Sequence, residues 1–169
     1  GVEVRLNVCA TPELVKAEGF DVVLVAVGSE PNIPDIPGAF GANVHMPISV
    51  YGHHSRLGEN VVVIGGSETG TETGLYLAMN GHKVTVLTRQ GVLAPEAAQV
   101  HYVEVLHNAC KREPNFSHII HATTTRIDPD GVVYVDGKGR EHKLTCDDVV
   151  LSGGVKPRIE QAMAFYGGA

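Results

Sequence analysis

The chain has 169 residues, 43% of them hydrophobic and 19% charged, which is the balance of an ordinary globular protein with one good core or two small lobes. Thirteen Lys and Arg against nineteen Asp and Glu give a net charge of -6 without a basic cluster, so neither nucleic acid nor an anionic membrane is expected as a partner. Because no apolar run approaches the roughly 18 residues that cross a bilayer, and the first residues lack the layout of a signal peptide, we expect a cytoplasmic protein.

Two apolar segments near the start of the chain are predicted to be strands, at residues 2–8 and 21–28. The second is an almost continuous apolar run, which is typical of a strand that is buried on both faces of a parallel sheet. Residues 29–42 follow, and their prolines and glycines predict a connection without regular structure.

The clearest pattern is VVVIGGSETGTETG, which begins at residue 61. It predicts a strand over 61–64, a glycine turn and a helix over 68–80 that ends with Gly81 as its C-cap. A strand over 83–87 completes one βαβ unit, for which we expect a right-handed crossover.

The remaining elements complete an α/β fold. A helix is predicted over about 96–112, before Pro114, because apolar residues recur at helical spacing at Val100, Val103, Leu106 and Cys110. The segments IDPDGVVYV and VDGKGREHKL contain glycine turns between short strands and predict a three-stranded β-meander, which leads to a last strand in DDVVLSGG. The expected architecture is a Rossmann-like domain with a parallel sheet and a meander.

One internal repeat relates residues 21–31, DVVLVAVGSEP, to residues 147–157, DDVVLSGGVKP. The two segments align without a gap, and Gly28 matches Gly154. A buried strand that ends in glycine and proline explains either copy alone, but two copies in the same order favour a true repeat.

The glycine turn has the chemistry of a dinucleotide site. Free backbone N–H groups at a helix N-terminus donate hydrogen bonds to the oxygens of a pyrophosphate, and the helix dipole favours its negative charge. In the G-x-G-x-x-G pattern the first glycine makes the turn, the second allows close approach of the phosphates, and the third lets the helix pack on the strand. Gly65, Ser67 and Gly70 occupy these three positions, after a strand and before a helix, so we predict nucleotide binding.

Ser67 leaves two possibilities open. Its Cβ and hydroxyl reduce the room for the phosphates, yet the hydroxyl is a donor that could bond a phosphate oxygen. At the end of the second strand, Thr88 and Arg89 stand where NAD-binding proteins place a carboxylate. No acid there would repel a 2′-phosphate, so the sequence favours NADP over NAD; the alternative is that Arg89 is only a solvated surface charge.

The cysteines and histidines do not indicate a metal site. Cys9, Cys110 and Cys146 are far apart and lack C-x2-C spacing, so we expect reduced and mostly buried thiols. The nine histidines show no convincing ligand spacing, and no metal is expected.

Taken together, these segments resemble flavoprotein pyridine-nucleotide oxidoreductases, in which an NAD(P) domain is inserted within an FAD domain. DVVLVAVGSEP and DDVVLSGGVKP are similar to the strands that leave and re-enter the FAD domain. The segments ETGLYLAMNGHKVTVL and PISVYG are most similar to the C-terminal region of iron-sulfur flavoenzymes related to 2,4-dienoyl-CoA reductase, 2-enoate reductase and trimethylamine dehydrogenase. In such proteins electrons pass from NAD(P)H to FAD, then through an iron-sulfur cluster to FMN and to an unsaturated acyl substrate.

The resemblance assigns roles to individual residues. It places Glu72 toward the nicotinamide, and Gly28 and Gly154 where the linking strands pass the cofactors. It surrounds the pyrophosphate with Gly65, Gly66, Ser67, Glu68, Thr69 and Gly70.

The resemblance also implies domain limits and a fragment. Residues 1–42 are expected to be part of an FAD domain and a linker, residues 43–152 the NAD(P)-binding domain, and residues 153–169 the start of the return to the FAD domain. The FAD glycine motif and the flavin-binding Gly-Asp segment are missing from this sequence, and the chain stops at AFYGGA without a closing element. FMN and the iron-sulfur cluster are therefore expected only in the full-length protein, and the isolated chain is expected to bind nucleotide without turnover.

The leading hypothesis is the NAD(P)H-binding part of a flavin-dependent oxidoreductase that reduces an unsaturated acyl or enoate substrate. One rival is a structural or ADP-binding Rossmann module without hydride transfer. Another is a stand-alone domain that senses nucleotide through a partner.

Overall fold

The computed structural model describes residues 1–96 and 100–166. They divide into two compact units. Residues Gly1–Glu30 and Val155–Ala169 form one, called here the terminal unit, and Pro31–Gly154 form the other, called the middle unit.

The helices and strands are numbered along the chain. The helices are α1 Pro12–Glu18, α2 Pro47–Val50, α3 Glu68–Met79, α4 Val100–Arg112 and α5 Ile159–Tyr166, with one turn of 3-10 helix at His54–Arg56. The strands are β1 Ser29–Pro31, β2 Val44–His45, β3 Asn60–Ile64, β4 Lys83–Leu87, β5 Phe116–Ile119, β6 Thr123–Asp128, β7 Gly131–Val135, β8 Glu141–Thr145, β9 Asp148–Leu151 and β10 Val155–Pro157.

The middle unit is built on a five-stranded sheet in the order β2-β9-β3-β4-β5, in which every pair is parallel. Side chains alternate between its faces, as strand geometry requires. Val62 packs with Val132 of the meander in one core cluster, while Val61 and Val63 pack with Leu77 of α3 in another. The centre of the sheet is thus buried on both faces, which explains the nearly continuous apolar runs of β3 and β9.

The predicted βαβ unit is confirmed in β3, α3 and β4. Gly74 lies where α3 meets the sheet, and a Cβ added there would come within 2.8 Å of the Val86 side chain. The C-cap was predicted one residue too late. Asn80 is the cap, and Gly81 follows it with φ +95°, a conformation that glycine adopts without strain.

The second predicted helix and the meander are also present. α4 ends at Arg112, before Pro114 as expected, with Leu106 and Cys110 buried. Its predicted start was about 96. Glu96 instead lies in a turn, and residues 97–99 are outside the described residues. β6, β7 and β8 form an antiparallel three-stranded sheet, and β9 confirms the last predicted strand.

In the terminal unit, both predicted strands are wrong. Residues 2–8 and 21–28 have no strand assignment, and Leu24 is 90% exposed. An extended apolar segment becomes a strand only when its backbone N–H and C=O groups pair with a neighbour. Among residues 1–96 and 100–166 no strand pairs with either segment.

Further corrections concern the connections and the end of the chain. The region 29–42 was predicted to lack regular structure, yet it begins with β1, which pairs with β10. Ile159–Tyr166 form α5, a helix that the sequence analysis did not predict. Cys9 is exposed, whereas Cys110 and Cys146 are buried.

Both glycines of the repeat have positive φ, +76° at Gly28 and +85° at Gly154. Equivalent backbone hydrogen bonds follow them. In the terminal unit the Arg158 N–H donates to the Gly28 carbonyl at 3.3 Å, and in the middle unit the Asn32 N–H donates to the Gly154 carbonyl at 2.9 Å. The repeat therefore recurs in backbone conformation at its glycines.

Membrane-spanning helices and metal-ligand clusters are both absent from the described residues. No helix within 1–96 or 100–166 has the length and apolar character needed to span a membrane. In the same ranges no three His, Cys, Asp or Glu side chains are grouped so that they could hold a metal ion.

Candidate functional site

The glycine turn lies where the strand order of the sheet reverses. After β3 the chain continues into β4 and β5 on one side of it, and it returns much later as β9 on the other side, between β3 and the earlier strand β2. In open α/β sheets ligands bind outside the carboxyl ends of the strands at such a switch point. Gly65 follows β3 and Ser152 follows β9, and the Ser152 N–H donates to the Ile64 carbonyl at 2.8 Å.

Close packing explains why three positions of the turn are glycine. Gly65 has φ +109°, and an added Cβ would collide with the Ser152 carbonyl oxygen. A Cβ on Gly66 would lie 2.7 Å from the Thr88 Cβ, and one on Gly70 would collide with the Gly65 carbonyl oxygen. These glycines let the turn lie directly against the sheet. Their role in the free protein is therefore to fix the shape of the turn.

Ser67 is the N-cap of α3. Its extended backbone precedes the helix, and its hydroxyl oxygen accepts from the Gly70 N–H at 3.4 Å. This is the ordinary bond by which serine satisfies a free N–H at the start of a helix. The cap uses the oxygen as an acceptor and leaves the hydroxyl proton available for another acceptor.

The first turn of α3 also meets a carboxylate that the sequence analysis missed. The Glu68 N–H donates to Glu96 Oε1 at 2.9 Å. Thr69, next along the helix, is exposed. No sequence motif marks Glu96, because the two residues are 28 positions apart and only the fold brings them together.

Glu72 faces α4. The Tyr102 hydroxyl donates to Glu72 Oε1, and this bond, together with burial, raises the pKa of Tyr102 to about 12. Glu72 thereby links α3 to α4, and its expected proximity to the nicotinamide stays a prediction.

The two residues after β4 differ in their surroundings. Thr88 is buried, and its hydroxyl accepts from the Gln90 N–H at 3.2 Å. Arg89 is exposed, and within the described part of the chain it forms no ion pair or side-chain hydrogen bond. Of the two, Arg89 is the one with a cationic group free to meet a ligand phosphate.

The segment after β9 contributes close backbone packing that the motif search did not single out. A Cβ on Gly153 would collide with the Asn32 carbonyl oxygen, and the Asn32 side-chain amide donates to the Gly153 carbonyl at 3.0 Å. The small residues of LSGG were the available signal, since a backbone approached this closely tolerates no side chain. The cofactor roles of Gly28 and Gly154 stay predictions.

This combination of a parallel sheet, a switch point and a glycine turn opening a helix defines a Rossmann-type nucleotide-binding domain. The chain belongs to the pyridine nucleotide-disulphide oxidoreductase family, whose model matches residues 7–167. The predicted α/β class and the predicted family are thereby confirmed.

Three relatives illustrate the similarity. The chain is 34% identical over 161 residues to NADH oxidase of Thermoanaerobacter brockii, which is 93% of this chain and 24% of that protein. It is 41% identical over 90 residues to cinnamate reductase of Clostridium sporogenes, which is 53% of this chain and 13% of that protein. A solved 2-naphthoyl-CoA reductase complex superimposes with a TM-score of 0.84 at 27% identity, over 97% of this chain and 24% of that one. The chain thus spans about a quarter of these proteins or less.

Proposed function

We propose that this chain is the NAD(P)H-binding part of a flavin-dependent oxidoreductase and that it positions the nicotinamide for hydride transfer to FAD. The observation that carries the proposal is the glycine turn at the switch point, where Gly65 and Gly70 bring the N-terminus of α3 against the ends of β3 and β9. The protein contributes orientation and charge complementarity, and the cofactors supply the redox chemistry.

The proposed cofactor contacts follow the predicted residues. The turn from Gly65 to Gly70 receives the pyrophosphate, and Arg89 meets the 2′-phosphate of NADP. Within the parent protein, residues 43–152 act as the NAD(P) domain, while residues 1–42 and 153–169 belong to the FAD side. The linking strands run past the cofactors at Gly28 and Gly154. The remainder of the flavoprotein supplies most of the FAD site, the FMN and the iron-sulfur cluster.

The proposed final substrate is an unsaturated acyl or enoate compound. Support comes from similarity to proteins named cinnamate reductase and 2-naphthoyl-CoA reductase. The residues that would bind such a substrate belong, in this proposal, to the remainder of the parent protein.

Calorimetric titration of the chain with NADPH, NADH and ADP tests the proposal. We expect both reduced dinucleotides to bind more tightly than ADP, because ADP lacks the nicotinamide half. ADP binding as tight as that of either dinucleotide would remove the basis for hydride delivery.

A pair of arginine variants tests the preference for NADP. Arg89→Ala should weaken NADPH binding and leave NADH binding nearly unchanged, because only NADPH carries the 2′-phosphate. Arg56→Ala is the matched control, since Arg56 is exposed and lies in the 3-10 helix rather than after β4. If both variants lost the same NADPH affinity, Arg89 would contribute only through the overall charge of the protein and not by binding the 2′-phosphate.

Two observations favour the second candidate, a structural or ADP-binding module. The Glu68 N–H, at the proposed phosphate site, is already bonded to a carboxylate. Thr88, which stands where NAD-binding proteins place a carboxylate, is buried. The titration separates the candidates, since a purely structural module binds none of the three nucleotides.

A further inference from the structure

The carboxylate of Glu96 lies at the start of α3, where the proposed pyrophosphate would bind. Its Oε1 accepts from the N–H of Glu68, the first residue of the helix, at 2.9 Å. The N-terminus of a helix carries partial positive charge and free N–H donors, which is the chemistry that attracts phosphate. Glu96 thus brings a second anion to the proposed phosphate site from a distant part of the chain.

The segment that carries Glu96 is fixed to the glycine turn. Leu93 and Ala94 are 4% and 1% exposed, and the Ala94 N–H donates to the Gly66 carbonyl at 2.7 Å. A ring nitrogen of His107 donates to the Leu93 carbonyl at 2.8 Å. Glu96 itself is exposed. The buried residues before it hold the backbone, so its side chain can rotate away once its bond to the Glu68 N–H is broken.

We propose that Glu96 is an internal competitor for the nucleotide: its carboxylate occupies the phosphate position in the free protein and must leave when NAD(P)H binds. This inference rests on the proposed function. A carboxylate and a pyrophosphate cannot both accept from one N–H at this distance, and their like charges repel. Displacement requires only rotation of the exposed side chain, because the anchoring contacts belong to Leu93 and Ala94.

The competition lowers the affinity for any ligand whose phosphate uses the Glu68 N–H. The interaction of one anion with an exposed helix N-terminus is modest. Its loss on nucleotide binding should therefore raise the nucleotide dissociation constant about two- to fivefold. NADPH and NADH should be affected alike, because both place a pyrophosphate there.

The test compares Glu96→Gln and Glu96→Ala with the 169-residue chain by calorimetric titration with NADPH and NADH. Glu104→Gln is the control, since it removes the same charge from an exposed position on α4. We expect Glu96→Gln to tighten both dinucleotides about two- to fivefold, Glu96→Ala to tighten them at least as much, and Glu104→Gln to bind like the unmodified chain.

A second readout observes the contact directly. In the absence of nucleotide, the amide resonance of Glu68 should shift in Glu96→Ala and not in Glu104→Gln. A Glu68 amide that is unmoved by Glu96→Ala would overturn the inference.

The outcomes separate the inference from the proposed function. Equal nucleotide affinity in the unmodified chain and both Glu96 variants overturns the competition and leaves the proposed function standing. Weaker binding in Glu96→Gln also overturns it, because the carboxylate would then serve the ligand. If neither the unmodified chain nor the variants bind NADPH or NADH, the proposed function fails and the inference fails with it.

Discussion

Both units of the chain contain apolar runs, but they differ in what surrounds the apolar side chains. In the middle unit Val63 and Leu77 are fully buried, whereas in the terminal unit Val2 and Leu24 are each 90% exposed. The difference shows that an apolar run predicts a strand only if other strands or helices are present to cover it.

The internal repeat makes the comparison sharp because both copies have nearly the same sequence pattern. In the second copy Val150 and Leu151 are 0% and 1% exposed, since β9 lies between β2 and β3. In the first copy Leu24 and Val25 are 90% and 40% exposed. The positive-φ glycine is present in both copies, so the local signal was sufficient for the turn and insufficient for the strand.

The largest expected difference is in the cost of truncating an apolar side chain in each copy. Leu151→Ala should lower the free energy of unfolding by about 2–5 kcal/mol, because it leaves a cavity in the core. Leu24→Ala removes the same atoms from an exposed site and should change it by less than about 0.5 kcal/mol. Urea denaturation followed by circular dichroism measures both values.

A large loss in Leu24→Ala would show that the first copy is buried in solution, and the contrast between the units would then disappear. Measuring the same pair in the longer flavoprotein that we propose as the parent extends the test. A cost for Leu24→Ala that appears only there would show that other parts of the parent cover this segment.

The cysteines provide a second contrast, in chemical reactivity. Burial raises the pKa of Cys110 and of Cys146 to about 11, while Cys9 is exposed. The thiolate is the reactive form. A thiol pKa that is raised by about two units lowers the fraction of thiolate about 100-fold at pH 8. A chromogenic disulfide reagent should therefore label Cys9 rapidly and the other two only after unfolding in urea. A Cys9→Ser variant that still reacts rapidly when folded would contradict the burial of the other thiols.

Much of the middle unit was predictable because its signals are local. The apolar run into the glycine turn identified β3, the apolar side of the helix and the next apolar strand identified α3 and β4, and the Asp-Gly turn identified the start of β7. β5 was missed because FSHI is short and half polar, and it is a strand only through its pairing with β4. Glu96, Ser152 and the partner of Glu72 could not be predicted, since each contact joins segments that are distant in sequence.

The repeated glycines should tolerate a side chain equally in the two units. Gly28→Ala and Gly154→Ala each place a Cβ in open space, so the cost comes only from positive φ, about 1–2 kcal/mol. Thermal unfolding of both variants measures it. Gly65→Ala is the contrasting variant, because its Cβ would also collide with the Ser152 carbonyl, and it should be less stable than either. Equal costs for all three would mean that the close approach at the switch point relaxes easily.

The smallest expected effect concerns two N-caps that use the same bond in the two units. Ser67 caps α3 through the Gly70 N–H, and Thr11 caps α1 through the Leu14 N–H. Loss of a cap costs about 1 kcal/mol when the helix belongs to the cooperative core. Ser67→Ala should reach that value by urea denaturation, because α3 packs on the sheet, whereas Thr11→Ala should cost less, because α1 has no buried residue.

Ser67→Gly separates the cap from the ligand. Glycine is a tolerable N-cap and should cost only a few tenths of a kcal/mol, so its effect on NADPH binding isolates the side chain. Tighter binding would mean that the Ser67 side chain obstructs the phosphates, and weaker binding would mean that its free hydroxyl proton bonds them. Because the structure already uses the hydroxyl oxygen to accept from Gly70 and leaves the proton available, we expect the weaker binding.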